Sequence, residues 1–318
     1  MIVLIRMSMI VAAIAAVAPV REAAAANPQQ IKARIAACDG FLEEFQDKAG
    51  KKGVGVIFPR PTPKTAQFGD KDLESLKDLP DLHKLELFYT GVTPKGIVHV
   101  KNLTDLRYLN INNIKFTDKE FEQLKGLTKL EELHVRGTSI TDKSLKTIGG
   151  FEQLWSLDIS RTNIKGTGHA NLVGLKKLIR LTLSELTTDA TLKPLAELPE
   201  LTYLFCYGGS ITGAGFTPFA THKKLGVLTL INCGVTDKGL GTISRLRSLR
   251  SLIVENSGVT NDGVGLLVDL PDLDNLGLKG TRVNDNFFKH LALMKSLKTV
   301  DVSGTAVTPA AIKKFNGE

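Results

Sequence analysis

The stretch "LEELHVRGTSITDKSLKTIGGFEQ", Leu130–Gln153, carries two hydrophobic rhythms inside one 24-residue unit. Its first half reads L-x-x-L-x-V through Leu130, Leu133 and Val135. That is a short strand, whose alternate residues point to opposite faces. Its second half has Ile140, then Thr141-Asp142, then Leu145, Ile148 and Phe151 three residues apart. That spacing is a helix with one buried stripe. Thr141 suits the N-cap, where its hydroxyl accepts from the free N–H groups of the first turn. Asp142 then sits at the positive end of the helix dipole.

The same phase recurs along the chain. Leu82, Leu106, Leu130, Leu154 and Leu178 are 24 residues apart, and after one step of 23 the series resumes at Leu201, Leu225, Leu249, Leu273 and Leu297. A second series follows three residues later, from Leu85 and Leu109 to Leu276 and Val300. A third lies two further on, from Leu87 and Ile111 to Leu278 and Val302. The helical half recurs as "VTDKGLGTISRL", Val235–Leu246. One such unit cannot bury its apolar side alone, whereas stacked neighbours can, and their strands then form one parallel sheet.

These ten in-phase units resemble the leucine-rich repeat family, in the exported bacterial form with 24-residue "ITDxGL" repeats. The resemblance covers residues 80–318, with 69–79 as a partial repeat. It implies an α/β solenoid, a curved right-handed strand–helix coil. Strands pack about 4.8 Å apart and helices are wider. The parallel sheet is therefore expected on the concave face and the helices on the convex face. The resemblance implies a binding scaffold without naming a partner.

The flanks read differently. "MIVLIRMSMIVAAIAAVAPVREAAAANPQQ" has a basic residue, an apolar stretch from Met7 to Val20 and a small-residue run at Ala23–Ala26. That is the layout of a secretory signal peptide over residues 1–26, with cleavage after Ala26. The apolar run is short for a retained span of about 20 residues. The expected location is periplasmic, cell-envelope or extracellular, with no transmembrane segment after cleavage. Residues 27–79 read as an N-terminal helical cap and a divergent first repeat. Ile31, Ile35, Cys38, Leu42 and Phe45 predict an amphipathic helix over residues 28–48. "VGVIF", Val54–Phe58, is a first strand. The last helix, around Ile312 and Phe315, has no separate cap after it. Two repeats are irregular: His169 takes a helix-core phase, and Thr187 stands where an aliphatic residue belongs.

Composition narrows the function classes. Of 318 residues, 42% are hydrophobic and 23% charged, an ordinary globular balance. The formal charge is +8, but the basic residues are scattered, with no run that marks a nucleic-acid arm. Nucleic acid is therefore not an expected partner. Three cysteines, Cys38, Cys206 and Cys233, do not make a disulfide framework. Cys206 and Cys233 are expected to stay reduced and buried. There is no phosphate-binding loop, no dinucleotide fingerprint, no H-E-x-x-H and no converging Ser, His and Asp set. The chain reads as non-enzymatic, with no catalytic residue, no metal site and no cofactor. Glu132, His134 and Asp158 could approach one metal ion, but their spacing is no dedicated motif and a hydrogen-bonded His–Asp pair is expected instead.

The third, fifth and seventh positions of each repeat face out from the sheet. Nearly half of them carry Glu, Asn, Ser or Thr. Two patches stand out. One is apolar: Tyr203, Phe205, Tyr207, Val227, Ile231 and Ile253. The other is polar: Glu132, His134, Arg136, Asp158, Arg161 and Arg180. Phe88 and Tyr89 form a smaller pair near the start. Aromatic and arginine residues dominate interface energetics, and exposed apolar patches with a polar rim mark partner sites. The expected function is therefore protein–protein recognition on the concave face. The alternatives are envelope glycan binding, in which rings stack on sugars, and a purely structural envelope module. On the bland side, the aromatics would only shield one another, and the charges would form a salt-bridge ladder.

Overall fold

A computed structural model describes residues 27–46, 50 and 52–316 of the chain. The export signal read over residues 1–26 lies outside the described residues. Twelve strands form one sheet in chain order. They are β1 (Phe41–Gln46), β2 (Lys52–Ile57), β3 (Leu82–Glu86), β4 (Tyr108–Asn110), β5 (Glu132–His134), β6 (Ser156–Asp158), β7 (Arg180–Thr182), β8 (Tyr203–Tyr207), β9 (Val227–Ile231), β10 (Ser251–Ile253), β11 (Asn275–Gly277) and β12 (Thr299–Asp301). From β2 onward every neighbour is parallel. The register follows the repeat: Leu109, Leu133, Leu157, Leu181, Leu204, Leu228, Leu252 and Leu276 stand opposite one another in sequence. From β2 onward helical segments connect the strands, as the α/β solenoid requires.

The core is the sum of these registers. Leu109, Leu133, Leu181, Leu204 and Leu228 have no exposed surface, and neither have Phe121, Leu145, Ile148 and Phe151 from the helical side. Full burial of such a side chain contributes roughly 1.5–3 kcal/mol each, which explains why the leucine phase is kept so strictly. The helical elements are short. Regular turns occur at Asp118–Phe121, Leu145–Gly149, Asp237–Ile243 and Asn261–Gly265. Between them, residues 169–221 use only the tighter 3₁₀ form, at His169–Leu172, Lys193–Glu197 and Ala214–Thr221. Pro194 and Pro218 remove the N–H groups a longer helix needs. His169 replaces the leucine of the regular phase. It is fully buried, with Nδ1 2.9 Å from the Thr191 carbonyl and Nε2 without a partner. Thr187 is also fully buried, and its hydroxyl has no partner.

The Thr-Asp motif links successive repeats. Thr141 and Thr236 cap their own helical turns, accepting from Lys143 and Gly239. The aspartates reach across to the following repeat. Asp70 accepts from the N–H and hydroxyl of Thr93, Asp118 from those of Thr141, Asp189 from those of Thr212 and Asp237 from those of Thr260. Asp142 accepts from the N–H groups of Lys165 and Gly168, since that repeat has no threonine there.

At the N-terminus the helix over residues 28–48 stops early. It covers Pro28–Ala37 only, and the chain then turns through Asp39, at φ 57°, into β1. Phe41-Leu-Glu-Glu-Phe-Gln pairs antiparallel to β2, from Phe41 opposite Ile57 to Gln46 opposite Lys52. The spacing of Cys38, Leu42 and Phe45, four and then three residues apart, mimics a helix. The Asp39-Gly40 turn overrides it, because Asp tolerates the left-handed conformation and Gly follows freely. The capping helix is fixed by Arg34, which donates to both Asp72 oxygens, at 2.7 and 3.0 Å, and to the Gln67 carbonyl. In the last repeat Phe315 stacks on Phe288 at 4.7 Å. Leu297, Val300 and Val302 are only partly buried there, unlike their counterparts upstream.

Candidate binding surface

The outward columns do not behave alike. Ser156, Ser160, Ser184 and Thr229 occupy outward positions yet are buried. Tyr203, Phe205, Val227, Ile231 and Ile253 are half-buried, and Tyr207 is 37% exposed. In-register pairing sets Tyr203 beside Val227 and Tyr207 beside Ile231, with Thr229 beside both Phe205 and Ile253. Three parallel strands thus present one apolar surface.

Arg180 joins this surface to the charged one. It stands opposite Tyr203 across β7 and β8. Its guanidinium carbon lies 5.0 Å from the Tyr203 ring centre and 5.6 Å from that of Phe205. Both distances are within cation–π range. Tyr207 feels the same group of charges. Burial first, then Asp158, push its phenol above the ordinary value, against Arg136 and Arg180, which lower it.

Within the charged patch, the expected His–Asp pair is absent. His134 faces Asp158 in register, yet no hydrogen bond links them. Asp158 accepts instead from the N–H and hydroxyl of Ser160, at 2.9 and 2.7 Å. The nearer hydroxyl wins the carboxylate. His134 lies 3.8 Å from Glu132 and packs on Tyr108, with ring centres 5.3 Å apart. The salt-bridge ladder is absent too. Among the described residues, Arg136, Arg161 and Arg180 form no ion pair. Arg161 has φ 53° at the turn that follows the strand, where other repeats place Asn113, Gly137, Asn232 and Asn256. Its N–H donates to Glu185 at 2.6 Å. Among the described residues no group of three His, Cys, Asp or Glu side chains could hold a metal ion.

A second depression was not legible in the sequence. Glu43, Phe45, His83, Lys84, Arg107, Tyr108, Glu131 and Trp155 line a cleft of about 400 Å³ at the start of the sheet. Lys84 pairs with Glu43 at 2.9 Å and Glu86 at 3.3 Å, and lies over the Tyr108 ring. Burial and the nearby Glu86 push the Tyr108 phenol up to about 12. Arg107, Glu131 and Trp155 form a column at the second position of successive repeats. Reading that column beside the other three would have found them. The rings of Phe88 and Tyr89 lie 3.7 Å apart, tilted by 38°.

Cys38, Cys206 and Cys233 are free thiols and all are buried. Cys233 donates to the Gly208 carbonyl at 3.1 Å.

The model of a leucine-rich repeat matches residues 126–149. Together with the in-phase stack of parallel strands, this makes the chain a leucine-rich repeat protein. Among solved structures it is similar to an internalin of Listeria monocytogenes, at 18% identity over 88% of this chain and 89% of that one, with a TM-score of 0.51. It is also similar to internalin C2 of Listeria monocytogenes, at 21% identity over 74% of this chain and 92% of that one, with a TM-score of 0.53. At these identities the likeness is one of fold. No sequence among the curated proteins matches the chain. No helix among the described residues is long and apolar enough to cross a membrane.

Proposed function

We propose that this chain is an exported, non-enzymatic recognition module that binds a protein partner on its strand face. The apolar ground is Tyr203, Phe205, Tyr207, Val227, Ile231 and Ile253. The polar ground is His134, Arg136, Asp158, Arg161 and Arg180. The observation that carries the reading is the Arg180 guanidinium spread over Tyr203 and Phe205. It makes aromatic and cationic groups one continuous surface, in positions where the scaffold makes no demand for aromatic residues. Aromatic and arginine side chains supply most of the binding energy at interfaces.

The test replaces Tyr203, Phe205 and Tyr207 together by serine. All three face away from the core, so the circular dichroism spectrum and thermal midpoint should stay close to the wild type. Crosslinking capture from the envelope fraction of the source cells should fail with the variant. Undiminished capture of the same protein would refute this site. Capture of polysaccharide alone would favour the glycan reading.

A further inference from the structure

The guanidinium group explains more than surface area. A guanidinium is planar, and its five N–H donors lie in that plane. The rings of Tyr203 and Phe205 approach Arg180, yet none of its donors meets an acceptor among the described residues. Arg136 and Arg161 are in the same condition. Each donates its backbone N–H, to Asn112 and Glu185 respectively, while its side chain donates to nothing among the described residues.

At the start of the same sheet the cations are engaged. Lys84 holds Glu43 and Glu86, and Arg107 holds Glu131. Two of the three carboxylates near these arginines are already engaged: Asp158 serves Ser160 and Glu185 serves the N–H of Arg161, while Glu132 lies 3.8 Å from His134. Formal charge on this ground is close to balanced, with Arg136, Arg161 and Arg180 against Glu132, Asp158 and Glu185. Bulk attraction is therefore not the selecting force. What is left over is directional: unused donor forks, one of them held against two aromatic rings. Arg161 adds to this. It occupies a left-handed turn position that most other repeats give to Asn or Gly, residues that adopt it readily, with Tyr89 a second exception.

A planar fork of donors is matched by a carboxylate, which accepts two parallel hydrogen bonds. An apolar neighbour for that carboxylate has its own seat on Tyr207, Val227 and Ile231. We infer that the segment bound on β5–β9 is an acidic peptide, with an Asp or Glu carboxylate seated on the donor fork of Arg180 and an apolar side chain beside it on the β8–β9 surface. The inference rests on the protein-binding reading above. It adds the chemistry of the bound segment.

The probe is a phage-displayed library of random dodecapeptides, selected on the wild-type chain. The strongest binder is then synthesised and its Kd measured by calorimetry. Selected peptides should carry Asp or Glu next to an aromatic or aliphatic residue. Changing that acid to its amide should weaken binding tenfold or more. Arg180→Lys should do the same although it keeps the charge, because the fork is lost. Peptides without an acid that still lose binding on the triple serine variant would overturn the acidic inference and leave the protein-binding site standing. Peptides that bind the triple serine variant as well as the wild type would overturn both. Enrichment of no peptide, with saturable binding of polygalacturonate, would also overturn both and assign the same forks to an acidic glycan.

Discussion

Asp118 and Thr141 lie in successive repeats and are joined by two hydrogen bonds. Oδ1 accepts the Thr141 N–H at 2.8 Å, and Oδ2 accepts its hydroxyl at 2.7 Å. Ser144 adds a third at 2.6 Å. Strand pairing alone would tie the repeats along one surface only. This link ties the helical side as well. Burial would raise the Asp118 pKa, yet the bonds from Ser144 and Thr141 outweigh it and hold the carboxyl below its ordinary value.

Asp118→Ala is therefore expected to cost about 1–3 kcal/mol, since it removes a charged acceptor and strands its donors. The lower urea midpoint would show it, and amide exchange should speed up first at Thr141 and Ser144. The pH dependence has a definite sign. A depressed carboxyl contributes stability above the unfolded value of about 3.9 and loses it as pH falls through the folded value. Asp118→Asn should flatten that acid limb. An unchanged limb would show that the link carries no ionic component.

His169 offers the opposite case. Burial lowers its pKa, while the Thr191 carbonyl raises it less. The folded state therefore keeps the ring neutral, and the unfolded state protonates below about pH 6.5. Stability is fully present above that value and falls as pH drops toward the folded value. Leu145 and Leu240 hold this phase in other repeats. His169→Leu also removes a buried nitrogen without a partner, an arrangement that costs about 1–3 kcal/mol. The variant should melt higher and lose the stability slope that sets in below about pH 6.5. A lower melting point would mean that the hydrogen bond to Thr191 outweighs the unsatisfied nitrogen.

The solenoid was legible because its signal is repeated ten times at one phase, and no local accident can imitate that. The Asp–Thr links were half legible. Thr141 and Asp142 read correctly as a helix start, but the partner of each aspartate lies one repeat away, and spacing within a unit says nothing about it. The false helix after Ala37 came from a real i, i+4 pattern that a two-residue turn overrode. On the strand face, the alternation that puts Tyr203, Phe205 and Tyr207 outward was readable. The partner of His134 was not, because Glu132, Ser160 and Tyr108 compete for the same groups and only geometry decides. Trp155 went unread because it stands at the second position, beside the columns that alternation picks out.

The thiols of Cys206 and Cys233 should be inert in the native protein. Burial pushes Cys233 up to about 11 and Cys206 well above the ordinary thiol range. Only the thiolate reacts. Iodoacetamide at pH 8 should leave both unmodified for hours, and denaturant should expose them to complete labelling. Rapid native labelling of Cys233 would show that the turn at Gly208 opens. A mass shift on reduction and alkylation would instead reveal a disulfide between the two.

The glycine of the "ITDxGL" pattern is testable within one helix. Gly239 and Gly241 both lie in Asp237–Ile243. A Cβ on Gly239 would press into the Thr212 carbonyl oxygen and stand 3.1 Å from the Gly213 Cα, both backbone atoms of the preceding repeat. Backbone cannot rotate away, so the two repeats must separate locally. Gly239→Ala is expected to cost about 1–3 kcal/mol through overpacking. A Cβ on Gly241 would meet only the tip of Leu266, at 3.3 Å, and that side chain is half exposed and free to shift. Gly241→Ala should then gain about 0.5–1 kcal/mol, because alanine loses less chain entropy in a helix. The pair separates two explanations of the motif. If both glycines served only to start a helix, the two variants would move stability in the same direction. If close approach between repeats dictates the first, urea midpoints should fall for Gly239→Ala and rise for Gly241→Ala.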